Sequence, residues 1–312
     1  MILPKTIQPA EICEALNRDG YVVVENVIPT NQIQDFRTRI EDRITLEKAH
    51  PVDPGESMVT GTQADEVDFT LWQTRDEEEA VLRRRIRHRQ AEEFDTPWPV
   101  SANDVCINFI HVPTSFDNGR SRRVVNVINK DTQLAELAEH PLILQAMEIE
   151  LGRDLILLDA SINQVGAQTN TPGGWHIDSP LTQITEPLPN LTLSIQTAWM
   201  LDDFRADNGA THVATGSNHT LQKPPPGRAP LDNEIVLAGP AGSVAIWLSQ
   251  TWHRHGANIA DDQRTGFIVQ YGRSWVKPFV DMRSPIDASQ AARLSPRMRY
   301  MMGCNANAPT RG

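Results

Sequence analysis

His176 and Asp178 stand two residues apart in Gly173-Gly174-Trp175-His176-Ile177-Asp178-Ser179-Pro180. Alternate residues of a strand point to the same face, so an imidazole and a carboxylate would sit side by side there. Further down the chain lies a second cluster, Trp252-His253-Arg254-His255-Gly256-Ala257-Asn258, followed by Arg264. An HxD pair with a His from a distant strand makes a 2-His-1-carboxylate set, which leaves open positions on non-haem Fe(II) for reactants. Arg264 adds a planar, permanently charged fork suited to a carboxylate. A metal set beside such a fork points to a 2-oxoacid cosubstrate that chelates the metal. His253 and His255 share strand parity, so parity alone leaves both as candidates for the third ligand. A His253/His255 pair would suit a cupin-type site, but that design needs a Glu shortly after, and the chain offers Gly256, Ala257 and Asn258.

The elements that must hold these residues follow from periodicity and punctuation. Residues 6–19 read as a helix capped by Thr6, with Ile12, Ala15 and Leu16 as its apolar stripe and Asp19-Gly20 as its end. Tyr21 to Val24 reads as a β-branched strand, and Pro29-Thr30 opens a helix with Ile33, Phe36, Ile40 and Ile44 at helical spacing. Residues 51–125 change character: Pro51, Pro54 and Gly55 break structure, and a dense charge run from Asp76 to Glu93 contains Arg83-Arg84-Arg85. The run is expected to be a solvated helix, with a lid or dimer contact as the sharper alternative. Trp72, Trp98, Phe109 and His111 bring aromatic rings to the segment, a variable elaboration where specificity is expected to reside.

Lys130 to Leu151 predicts a helix pair broken at His140-Pro141. Strands are predicted over 155–165, 192–201, 244–248 and 266–271, with a turn at Asn208-Gly209 and an exposed loop at Pro224 to Gly227. Many short strands framed by helices imply a helix-buttressed β-sandwich or barrel. On the strand before His176, Asp159, Ser161 and Asn163 share a parity that could face the cavity. His212 and His219 are expected to be structural rather than ligands.

The 312-residue chain carries a net charge of −11, which argues against a nucleic-acid or anionic-membrane partner, since both need a basic footprint. Cys13, Cys106 and Cys304 are few and lack any CxxC, so neither a disulfide framework nor a thiolate zinc site is indicated. No long apolar run or signal pattern is present, and a cytoplasmic protein with a small-molecule substrate is the expectation, a homo-oligomer being left open.

Beyond these residues, the chain resembles the phytanoyl-CoA dioxygenase family of Fe(II)/2-oxoglutarate oxygenases. The resemblance rests on His176 and Asp178, on His253, Asn258 and Arg264, on Trp199 to Asp203, on Asn208 to Thr211, and on Thr215 to His219. It covers nearly the whole chain outside 51–125. It implies a double-stranded β-helix (jelly-roll, cupin-like) core in one domain over 1–312, with 304–312 as a flexible tail. It implies Fe(II) held by His176, Asp178 and His253, 2-oxoglutarate paired to Arg264, and O2 as the oxidant. The family's spacing from ligand to Arg selects His253 over His255. Trp199 matches a residue that flanks the cosubstrate in the family, and His255 stands where the family often has a Ser that contacts it. Hydroxylation of a small molecule is the implied outcome. The alternatives are a binding protein that has lost turnover, or a cupin-type isomerase or hydrolase.

Overall fold

The computed structural model describes residues 1–49, 114–117, 121–169, 172–178, 180–278, 282, 286 and 288–304. The charge run, Arg83 to Arg85, Trp72, Trp98, Phe109, His111 and most of the supposed tail lie outside them, as does Cys106. Cys13 and Cys304 are free thiols. Among the described residues no helix is long and apolar enough to cross a membrane.

Among the described residues, eleven strands form two sheets. They are β1 (Ile2–Pro4), β2 (Tyr21–Glu25), β3 (Thr114–Asp117), β4 (Ser121–Val124), β5 (Ile156–Val165), β6 (Ser194–Met200), β7 (Thr211–Ala214), β8 (Glu234–Val236), β9 (Val244–Leu248), β10 (His253–His255) and β11 (Arg264–Gly272). The larger sheet has the order β1-β2-β9-β6-β11-β5-β4-β3, and the smaller has β10-β7-β8. Apart from the parallel β1–β2 pair, all strand pairings are antiparallel. This is the double-stranded β-helix core with flanking helices. Strands β3 and β4 come from the end of the segment read as an elaboration, and they extend the main sheet.

The central strands of the larger sheet, β2, β9, β6, β11 and β5, are buried on both faces. Its outer face packs beneath helices α1 (Pro9–Asp19), α2 (Thr30–Ala49) and α3 (Pro141–Leu151). There Ile12 and Leu16, Phe36 and Ile40, and Ile143 and Met147 meet alternate strand residues such as Ile246, Ile195 and Phe267. The N-cap of α1 is Gln8 instead of Thr6: the Gln8 backbone N–H donates to Glu11 and closes a capping box. The expected break at His140-Pro141 is found: a 3-10 turn (Thr132–Leu134) and a one-turn helix (Ala135–Ala138) precede it, and the long helix starts at Pro141. The inner face packs on the smaller sheet through Ala198, Met200, Ala245 and Trp247 against Val213 and Leu237.

One irregularity decides which β5 residues face inward. Gln270 pairs with Asp159 and Tyr271 with Leu157, leaving Leu158 as an extra residue. Leu157 packs under the helices, whereas after the bulge Ala160 and Ile162 do so. The bulge therefore turns Asp159, Ser161 and Asn163 to the inner face. Gly272 makes room for it, since a Cβ there would lie 2.6 Å from a Leu158 methyl.

Candidate metal centre

His176 and His253 are brought together by backbone pairing before any side chain acts. The segment 172–178 runs along β10 as an antiparallel partner, with the His176 N–H donating to the His253 carbonyl at 3.0 Å and the reverse bond at 2.9 Å. Asp178 is anchored through its N–H to the Ser249 carbonyl at 2.9 Å. The side chains of His176, Asp178 and His253 form a group whose ligand atoms all lie within 4.8 Å of one another.

Each imidazole is held by its Nδ1, against the carbonyl of the residue two positions earlier. His176 uses Gly174 and His253 uses Thr251, both at 2.9 Å. Such a bond fixes the tautomer and leaves Nε2 to bind a metal. His253 Nε2 faces Asp178 Oδ2 at 3.4 Å, and Oδ2 is buried without a hydrogen-bond partner. Burial opposes charge on His253, yet the facing Asp178 carboxylate outweighs it and raises the His253 pKa. Burial likewise pushes the Asp178 carboxyl up, but His253, His176 and the Gln196 side chain outweigh it and lower its pKa. The His176 ring is open to solvent at part of its surface, but crowding by the chain and by His253 brings its pKa down to about 4. A carboxylate facing two close imidazoles is an arrangement whose charge a divalent cation would balance. These donors, one carboxylate oxygen and two imidazole nitrogens, fit Fe(II).

Arg264 begins β11, buried, with its guanidinium 4.3 Å above the Phe204 ring and donating to the Gly209 carbonyl. Its Nε is buried without a partner, and burial lowers its pKa to about 10, so it stays charged at neutral pH. Arg264 is not paired with the acidic residues just before it: Asp262 is bridged to Arg205, and Asp261 accepts from Gln168. No carboxylate among the described residues lies in salt-bridge contact with Arg264. A desolvated guanidinium lacking a counter-anion suits an anionic ligand. Asn258 is structural, donating to the Gly166 and Asp262 carbonyls and accepting from Ala260.

Trp199 does not join this site. It lies on the helix-side face of β6, fully buried, with its ring 5.6 Å from His140. Trp199 thus lies on the face opposite the metal group, and Gln196 and Ala198 occupy the inward parity. His255 is exposed and outside the ligand group, its ring packed so closely on Gly173 that a Cβ there would lie 2.7 Å from His255 Cδ2. His212 pairs with Glu234, and His219 contacts the Arg18 carbonyl, so neither joins the metal group. Gln196 escaped the sequence reading, because β6 is buried on both faces and its alternation does not mark which side faces the metal group.

Behind the two histidines the same strand pair carries a second contact. Trp175 lies opposite Arg254, whose guanidinium sits 4.7 Å from the indole and bonds Glu234 and the Arg228 carbonyl. Trp175 in turn donates to the Ala229 carbonyl at 2.8 Å.

The phytanoyl-CoA dioxygenase (PhyH) family profile matches residues 16–266. The dioxygenase af480 of Aspergillus fumigatus is 24% identical over 190 residues, 59% of this chain and 59% of that protein. The chain thus aligns with less than two thirds of that relative's length. Among solved structures, EctD from S. alaskensis in its apoform superposes with a TM-score of 0.56 at 16% identity, over 87% of this chain and 81% of that one. SnoK, a non-haem, alpha-ketoglutarate-dependent carbocyclase from nogalamycin biosynthesis, superposes at 0.52 and 17% identity, over 92% and 90%. At these identities the superpositions speak for the fold.

Proposed function

The chain belongs to the phytanoyl-CoA dioxygenase family, and from that premise we propose that it is an Fe(II)/2-oxoglutarate-dependent oxygenase of a small molecule, with residues 1–312 forming one domain. The observation that carries the reading is the convergence of His176, Asp178 and His253, with Asp178 Oδ2 buried and unpartnered. His176 and His253 would bind iron through Nε2, and Asp178 through a carboxylate oxygen. When bound, Fe(II) with 2-oxoglutarate and O2 supplies the oxidising power, and 2-oxoglutarate leaves as succinate and CO2. The chain's own residues do the positioning. Gly174 and Thr251 carbonyls orient the imidazoles, Gln196 steadies Asp178, and Arg264 would hold the distal carboxylate of 2-oxoglutarate in a desolvated seat.

Hydroxylation is the outcome we favour. SnoK is a carbocyclase on this fold, so ring formation is the alternative outcome that product analysis must separate from it. Anaerobic addition of Fe(II) and 2-oxoglutarate should produce a visible charge-transfer absorption. Its absence in the wild-type protein, with iron and cosubstrate in excess, would overturn the proposal.

A further inference from the structure

The inner face of the main sheet holds a second cluster that the metal centre does not use. Asp159 is 3% exposed and Ser161 is 0% exposed. Asp159 Oδ2 accepts from Arg123 at 2.9 Å, while Asp159 Oδ1, Ser161 Oγ and the buried Arg123 Nε have no hydrogen-bond partner among the described residues. Three unmet polar atoms in one place are unusual in a folded protein, where buried polar groups are almost always paired. They are also there by construction: the Leu158 bulge aims Asp159 and Ser161 away from the helix-side core.

The cluster is continuous with the metal centre. Asp159 is the cross-strand neighbour of Gln270, which is the neighbour of Gln196, whose side chain steadies Asp178. Two strand spacings, about 10 Å, therefore separate the Asp159 and Gln196 positions. That is within the span of a small organic molecule.

We propose that Asp159, Ser161 and Arg123 form the polar end of the organic-substrate site and bind an uncharged, hydroxyl-bearing part of that substrate. This rests on the oxygenase reading above for the meaning of the metal end. Asp159 and Arg123 neutralise each other, so the cluster offers an acceptor, a donor and a hydroxyl with no net charge to offset. A carboxylate placed there would face Asp159, and an ammonium would face Arg123. A hydroxyl can donate to Asp159 Oδ1 and accept from both Ser161 Oγ and Arg123 Nε, which matches all three unmet atoms.

The test uses four probes built on one six-membered ring: trans-cyclohexane-1,2-diol, its dimethyl ether, cyclohexanecarboxylate and cyclohexylamine. Their binding to the full chain, loaded with Zn(II) and 2-oxoglutarate, is read by ligand-observed saturation-transfer NMR. Wild type should prefer the diol over the other three. Ser161→Ala, the mildest change, should weaken the diol about threefold to tenfold, the effect of one hydrogen bond. Asp159→Asn leaves Arg123 uncompensated and should turn the preference to the carboxylate, whereas Arg123→Gln should turn it to the amine. A purely structural ion pair predicts no such reversal. Equal binding of all probes in wild type, or an unchanged order in folded variants, would overturn the subsite. The anaerobic Fe(II)/2-oxoglutarate absorption of the same proteins separates the two claims. Normal absorption with unchanged probe order rejects only the subsite; absent absorption in wild type rejects the oxygenase reading and this proposal with it.

Discussion

Asp178 Oδ2 and the two Nε2 atoms give the clearest expectations at the scale of single residues. His176→Ala, Asp178→Ala and His253→Ala should each abolish iron binding, read as loss of the Fe(II)/2-oxoglutarate absorption, while circular dichroism stays native. His255→Ala should keep the absorption, because His255 packs on Gly173 outside the ligand group. The opposite result for the His253 and His255 variants would reassign the third ligand. Arg264→Ala removes a buried cation whose hydrogen bonds to a carboxylate are worth roughly 2 kcal/mol, or about 30-fold in the 2-oxoglutarate concentration required. Arg264→Lys should recover only part of this, lacking the two-pronged fork. Equal 2-oxoglutarate dependence in Arg264→Ala and wild type would remove Arg264 from the cosubstrate seat.

At the scale of elements, the strand pair that joins His176 to His253 is held from behind by Trp175, Arg254 and Glu234. Arg254→Ala takes away both the stacking partner of Trp175 and the counter-ion of Glu234. Iron affinity should fall about tenfold, as for other residues that support ligands without touching the metal. Titration of Fe(II) under anaerobic conditions checks this, and an unchanged affinity would show that the pairing holds the ligands unaided. The bulge at Leu158 invites a companion change: Gly272→Ala should cost roughly 1–3 kcal/mol in urea unfolding, because its methyl meets the Leu158 side chain. These same elements mark how far the sequence could be read. Helix α2 and strand β9 were legible because an apolar stripe and an apolar run each have one simple solution. Trp199 was not, since β6 is buried on both faces, and alternation without a solvent side does not reveal which side meets the helices. Nor was the inward turn of Asp159, because Ile156-Leu157-Leu158 is an unbroken apolar run in which an extra residue leaves no mark. His176 and Asp178 were legible from strand parity, a local rule that the bulge does not touch, whereas parity left His253 and His255 open and the choice of His253 rested on the family's spacing to Arg264.

For the molecule as a whole, the candidate site joins parts of the chain that are far apart in sequence, and this makes ligand binding a measure of global stability. His176 and Asp178 lie in a segment pinned to β10 and to Ser249, while Arg264 begins β11 in the main sheet. Unfolding must separate all of them, so a ligand bound only by the native state stabilises it by mass action. At a metal concentration about 100 times its Kd the gain is about 2.7 kcal/mol. For a chain of 312 residues that corresponds to a rise of roughly 4 °C in Tm. Ni(II) or Zn(II), which bind such donors without oxidative turnover, should give the first rise alone. 2-Oxoglutarate should add a second rise only when metal is present, because its keto-acid end needs the ion. Arg264→Ala should keep the first increment and lose most of the second; Asp178→Ala should lose both. Differential scanning calorimetry on the three proteins reads the pattern directly. A 2-oxoglutarate increment that survives in Asp178→Ala would mean that the cosubstrate binds apart from the metal, and the joint site would fall.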